Sequence, residues 1–176
     1  IRNVETRTGN AIIQVDTNGQ NCIILYPGAN RCMEKSFIDE VLGAFSEGDY
    51  LLLQNEINNL PYIIDSAYAK GMKIILNPSP MDDQVLACDL SKISMFILNE
   101  VEAGQLTGEK DPAKVLASMQ AKFPQAEIVL TLGAEGSVYA GKGSDPAAKI
   151  IPQKIYPCHA VIKNTLPTTE ITKKNF

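Results

Sequence analysis

The 176-residue sequence has no tryptophan and a single histidine, His159. Its four cysteines, Cys22, Cys32, Cys88 and Cys158, are scattered and form no Cys-x-x-Cys pair. That supply of soft ligands argues against a zinc site. Reduced, scattered thiols suit a cytoplasmic protein. No apolar run approaches the ~20 residues of a membrane-spanning helix, and no signal peptide stands at the start. Neither sign of charge dominates: 16 Lys and Arg stand against 20 Asp and Glu, a net charge of −4. With a pI near 5.0, no basic field invites nucleic acid or an anionic membrane. No Gly-Lys-Ser/Thr follows any glycine loop, so there is no P-loop. His159 has no serine or cysteine motif beside it and there is no nucleophile elbow.

What is present is one domain's worth of alternating strand and helix signals. Ala11 to Asp16 and Asn21 to Tyr26 read as a hairpin closed by Thr17-Asn18-Gly19-Gln20, since Asn-Gly between apolar runs is a strong turn signal. Pro27-Gly28-Ala29-Asn30 ends it. Phe37, Ile38, Val41, Leu42 and Phe45 then fall on one helical face. Tyr50 to Leu53 is a strand ending in Gln54-Asn55-Glu56. A helix from Asn59, with Pro61 in its first turn, stops at Lys70-Gly71. Lys73 to Leu76 is a strand ending in Asn77-Pro78-Ser79-Pro80. After a loop come a strand over Ser94 to Leu98 and a helix opened by Asp111-Pro112. Glu127 to Leu132 is the next strand, Ser137 to Ala140 a last edge strand, and Lys142 to Pro146 a loop. Crossovers of this length predict parallel strands in a doubly wound α/β sheet, with the hairpin outside it as a flap or small second sheet.

The stretch from Phe96 to Gly108 organises the rest. Met95 to Leu98 is uninterrupted apolar sequence, as in a parallel strand covered on both faces. Asn99, Glu100 and Glu102 follow at its end, where a helix begins. Ligands of open parallel sheets sit outside the carboxyl ends of the strands. An amide and two carboxylates there suit a hydrated Mg²⁺, which takes oxygen ligands and keeps several waters. They equally suit a plain helix start, with Asn99 as cap and the glutamates against the dipole. Spacing alone favours the second reading.

Four strand ends carry polar groups: Glu56, Asn77, Asn99 with Glu102, and Thr131 with Gly133. In a parallel sheet all four share one edge, and that convergence is more specific than any one of them. The loop Thr131-Leu132-Gly133-Ala134-Glu135-Gly136 either brings backbone amides to phosphate oxygens or turns a hairpin with glycine at positive φ. Taken alone, it favours the hairpin.

From about Thr8 to Pro157 the sequence resembles the ribokinase-like carbohydrate kinase family. The carriers are Gly9-Asn10-Ala11-Ile12-Ile13-Gln14-Val15, Tyr26-Pro27-Gly28-Ala29-Asn30, Leu51-Leu52-Leu53-Gln54-Asn55-Glu56, Leu76-Asn77-Pro78-Ser79-Pro80, Leu98-Asn99-Glu100-Val101-Glu102 with Leu106-Thr107-Gly108, and Leu130 to Gly136. Their order and spacing are together highly specific. The resemblance implies an α/β fold: a ribokinase-like αβα sandwich with a mainly parallel sheet and part of a small β lid, here incomplete. Residues 1–160 would be a partial kinase domain, 8–30 its lid hairpin and 161–176 a divergent tail.

It further implies ATP-dependent phosphorylation of a sugar hydroxyl, ribose at its 5-position, with Mg²⁺ as cofactor and ATP as co-substrate. It allows a homodimer through the lid sheet. Asn99 and Glu102 match the family's Asn-x-x-Glu motif, which positions the Mg²⁺ hydration shell and phosphate. Thr131, Leu132, Gly133, Ala134, Glu135 and Gly136 match a loop that touches the nucleotide. Glu56 matches a carboxylate that contacts the sugar. The resemblance moves Asn99 and Glu102 to the functional reading.

Two departures stand beside these matches. The family's first strand, Gly-Gly motif and early sugar-binding Asp have no counterpart, since the chain begins at the lid. After Ala160-Val161, where the family continues with Asp-Thr and Gly-Ala-Gly-Asp, this chain reads Ile162-Lys163-Asn164-Thr165-Leu166-Pro167. That motif supplies the anion hole and the aspartate that takes the hydroxyl proton, so no catalytic base is assigned here. A frame change, a splice variant or an incomplete gene would each leave such a junction. The expectation is a kinase by family whose 176-residue chain turns over little or nothing. The alternatives are a non-catalytic nucleotide-binding remnant or an unstable fragment, and the tail from Pro157 is expected to be irregular.

Overall fold

The computed structural model describes residues 2–17, 21–133, 136–142 and 149–151. Strands β1 (Asn10–Val15) and β2 (Asn21–Tyr26) pair antiparallel, with Ile13 opposite Ile23. They form a two-stranded sheet of their own, the small second sheet that is one of the two readings of the hairpin. The hairpin turn at 18–20 and the tail from residue 152, with Cys158 and His159, lie outside the described residues.

Two glycines set the root of this ribbon. A Cβ on Gly9 would lie 2.4 Å from the Pro27 carbonyl oxygen, and one on Gly28 only 2.3 Å from that of Arg7. Gly28 also has φ +49°, a conformation that L side chains rarely adopt. The Ala29 N–H donates to the Arg7 carbonyl at 2.9 Å, so the segments entering and leaving the ribbon are tied at its base.

The second sheet has six strands in chain order: β3 (Tyr50–Gln54), β4 (Lys73–Asn77), β5 (Met95–Asn99), β6 (Glu127–Thr131), β7 (Ser137–Ala140) and β8 (Lys149–Ile151). The first four are parallel and the last two antiparallel. Helix α1 (Lys35–Gly43) precedes β3, and α2 (Leu60–Ala69) connects β3 to β4. A short α3 (Asp83–Leu86) lies between β4 and β5, while α4 (Glu100–Thr107) and α5 (Pro112–Lys122) lead from β5 to β6.

Right-handed crossovers that always step to the next strand in the same direction leave their helices on one face. Burial follows that rule. Leu53, Leu76, Phe96 and Ile128 form one row across β3 to β6, and all four are buried. Leu60 and Ile64 of α2 and Val115 and Met119 of α5 belong to the same core. The rings of Phe96 and Phe123 lie 4.8 Å apart within it. Cys88 is buried as well, and desolvation pushes its thiol up to about 11.

The opposite face carries Leu52, 68 % exposed, together with half-buried Ile75, Met95, Ile97 and Val129. No described element covers it. The mainly parallel α/β sheet is present, but the described strands wind in one direction rather than two. For the same reason Met95 to Leu98 is buried on alternate residues only.

One smaller expectation also changes. Ser137–Ala140 is not the last strand, because β8 pairs outside it. Asn59 stands at the start of α2 with Pro61 in the first turn, as the sequence reading has it, and its side chain makes no capping hydrogen bond. Its φ is +61°, and its Nδ2 donates to the Met33 carbonyl at 2.6 Å. There it joins Asn58, whose side chain exchanges hydrogen bonds with the Met33 backbone.

Candidate functional site

Because β3 to β6 run in parallel, their carboxyl ends form one edge, and the polar residues read from the sequence gather there. Gln54 pairs with Asn77, and Asn99 with Thr131. Alternation along the strands puts these four side chains on the face that no described helix covers. Three strand spacings of roughly 4.8 Å separate the β3 end from the β6 end, about 14 Å in all.

At the centre, Asn99 and Glu102 close a capping box. The Asn99 Oδ1 accepts from the Glu102 N–H at 2.9 Å, and the Glu102 carboxylate accepts from the Asn99 N–H at 3.0 Å. The plain cap reading is therefore realised in full. It leaves the Asn99 Nδ2 and the second Glu102 oxygen outside the box. Glu102 is only 9 % exposed, and no described residue forms an ion pair with it. A buried carboxylate without a cation is unusual and suits a site that receives one. Among the described residues no group of three His, Cys, Asp or Glu can hold a metal directly. A cation here would therefore keep most of its water, as Mg²⁺ does.

The cap and the ligand roles separate by mutation. Asn99→Ala removes the box and should cost about 1 kcal/mol, lowering the melting temperature by roughly 2–4 °C in a circular dichroism melt. Asn99→Ser keeps a capping oxygen and should recover the melting temperature while losing the amide that faces the edge.

The loop after β6 is a hairpin turn in its backbone. The Leu132 N–H donates to the Gly136 carbonyl at 2.8 Å, and Gly133 and Gly136 have φ of +56° and +103°. Thr131 and Gly133 are exposed at the edge and Leu132 packs on the core. Ala134 and Glu135 lie outside the described residues.

Glu56 follows β3 and lines two cavities. One, of about 380 Å³, lies under the lid root against Asn10, Tyr26, Asn30 and Arg31. The other, about 560 Å³, runs along the uncovered face beside Leu52, Asn77 and Ile97. Glu56 thus stands where the space under the lid opens onto the strand-end edge.

Its neighbours were not singled out from the sequence. Asn55 is fully buried, with its Nδ2 donating to the Pro80 carbonyl at 2.6 Å and to the Asp82 carboxylate at 2.7 Å. Its Oδ1 accepts from Gln84 Nε2 at 2.6 Å. Asp82 in turn caps α3, accepting from the Gln84 and Val85 N–H groups. The only signal in the chain is the Asp82 cap, and nothing local connects it to Asn55.

An open, mainly parallel sheet with polar residues at the carboxyl ends of its strands defines an α/β class of protein that binds ligands at that edge, and the comparisons narrow it. The model of the pfkB family of carbohydrate kinases matches residues 1–157. The ribokinase of Staphylococcus aureus is 33% identical over 154 residues, 81% of this chain and 48% of that protein. The bifunctional ribokinase/ribose-5-phosphate isomerase A of Fructilactobacillus sanfranciscensis is 33% identical over 88% of this chain and 30% of its own length. Among solved structures, a ribokinase from Cryptococcus neoformans in complex with ADP superposes with a TM-score of 0.66 at 26% identity, over 84% of this chain and 51% of that one. The chain belongs to the pfkB family of carbohydrate kinases. It spans about half the length of the ribokinases it matches.

Proposed function

We propose that this chain carries the sugar- and ATP-handling edge of a ribokinase-type carbohydrate kinase, the phosphoryl acceptor being ribose at its 5-hydroxyl. The observation that carries the reading is the meeting of Glu56, Asn77, Asn99 and Thr131 at one sheet edge, beside a cavity closed by the lid root. In the reaction the sugar oxygen forms a bond to the γ-phosphorus, the bond from phosphorus to the oxygen of ADP breaks, and the hydroxyl proton leaves to a base.

Each residue has a definite task. The Glu56 carboxylate accepts hydrogen bonds from sugar hydroxyls in the lid cavity. Asn99 and Glu102 would orient the water shell of a bound Mg²⁺, which would neutralise charge on the phosphates. Thr131 and the amides around Gly133 and Gly136 hold the nucleotide. No residue of the 176 is assigned as base, so this chain by itself binds without appreciable turnover. Cys22, Cys32 and Cys88 form no disulfide among the described residues, which agrees with a cytoplasmic setting. Ile12, Ile13, Ile23 and Ile24, each at least half exposed on the ribbon, support a homodimer through the lid.

Titration calorimetry tests the assignment. Glu56→Ala should weaken ribose binding by about tenfold or more, the loss of a charge-assisted hydrogen bond, and leave MgATP binding unchanged. Equal loss of both ligands, or of neither, would contradict it.

A further inference from the structure

The turn that carries Glu56 is held by one side chain from the next crossover. Gln84 Nε2 donates to Asn55 Oδ1 at 2.6 Å and to the Ile57 carbonyl at 3.0 Å, so the residues on both sides of Glu56 are pinned by the same amide. Gln84 is itself fixed, because its N–H donates to the Asp82 carboxylate that caps α3 and that also accepts from Asn55. The remaining atom of the amide, Oε1, accepts from Arg31 Nη1 in a longer contact of 3.4 Å. Arg31 closes the 3₁₀ turn at the lid root and lines the same cavity as Glu56. One primary amide thus satisfies both its hydrogens on the Glu56 turn and its oxygen on the lid.

We propose that Gln84 is a positioning residue: its side-chain amide fixes the turn bearing Glu56 and ties that turn to the lid root, so that the carboxylate is presented to the cavity. The inference rests on the reading of that cavity as the sugar site. Glu56 makes no side-chain hydrogen bond to another described residue, so its placement depends on the backbone on either side of it. Asn55 is fully buried, and without the Gln84 donor its Oδ1 would be left unpaired away from water, a costly state that the turn relieves by moving. Small misplacements of a binding group cost affinity steeply. The Arg31 contact adds a route by which lid position and carboxylate position move together.

The test uses the 176-residue chain, D-ribose as probe, and the near-isosteric variant Gln84→Met. In the ligand-free protein, the backbone order parameter at Glu56 from ¹⁵N relaxation should fall in the variant, while the strands β4 and β5 stay rigid. Ribose affinity by calorimetry should fall about tenfold. In a Glu56→Gln background the same substitution should have no further effect on ribose, since the two act through one group. A purely structural role for Gln84 would lower stability without this non-additivity. An unchanged order parameter at Glu56, or a ribose effect fully additive with Glu56→Gln, overturns the inference. No ribose binding by the unmutated chain overturns the sugar reading, while the ligand-free order parameter at Glu56 still decides whether Gln84 holds the turn. Should Gln84→Met not fold, Arg31→Lys is the second variant. Its effect should appear at the Glu56 amide resonance, and silence there contradicts the link to the lid.

Discussion

Given ribose, ATP and Mg²⁺, the 176-residue chain is expected to release ADP at no more than background rate. Phosphoryl transfer depends on positioning and on stabilising charge where it develops. A general base contributes typically ~10²–10⁴-fold, and a single preorganised donor to the developing charge ~10²–10³-fold. The glycine-flanked aspartate at a helix start, which the family resemblance assigns to both tasks, has no match in these residues. No glycine follows Gly143, and Glu170 is the only acidic residue after Asp145. Losing both contributions removes at least four powers of ten on those figures, below what a coupled ADP assay detects. Robust ribose-dependent ADP release would contradict this.

The second large effect is on stability. Phe96→Ala should destabilise the chain by about 3–5 kcal/mol, a large share of the 5–15 kcal/mol that holds an ordinary domain together. The thermal midpoint should fall by on the order of 10 °C. Phe96 is fully buried in β5, with Leu76 and Ile128 beside it in the same row and the Phe123 ring against it. Truncation leaves a cavity that neighbours on two strands cannot close without breaking register. Leu52→Ala is the control. Leu52 lies on the same sheet but on the bare face, 68 % exposed, and its loss should cost under about 0.5 kcal/mol. Equal effects at the two positions would mean that both faces are covered.

Local chemistry explains which features were legible in the sequence. The hairpin is encoded by a short turn between apolar runs, and the capping box by residues three apart, so β1, β2 and the start of α4 were readable. The shared edge was readable too, because each strand ends in polar residues and parallel strands point the same way. The direction of winding was not, since no local pattern states which neighbour a strand takes, and so the residues of the bare face, Leu52 and Ile97 among them, were not named as such. The Asn55, Asp82 and Gln84 network joins residues 27 and 29 positions apart, beyond any periodicity. Asn59 opens α2 where the sequence places it, but nothing local tells that its side chain turns to Met33. The Thr131 loop has the hairpin geometry and Asn99 the cap that spacing alone favours, and the nucleotide and metal roles remain proposals beside them. One backbone arrangement serves both descriptions.

The most direct measurement is a MgATP titration of the ¹⁵N-labelled 176-residue chain followed by NMR. Shifts concentrated at the amides of Asn99, Glu102, Thr131, Gly133 and Gly136, with Lys70 to Lys73 at the far end of the strands unmoved, are the expected result. No shifts at millimolar MgATP, or shifts centred on that far end, would contradict a nucleotide site at the carboxyl edge of the sheet.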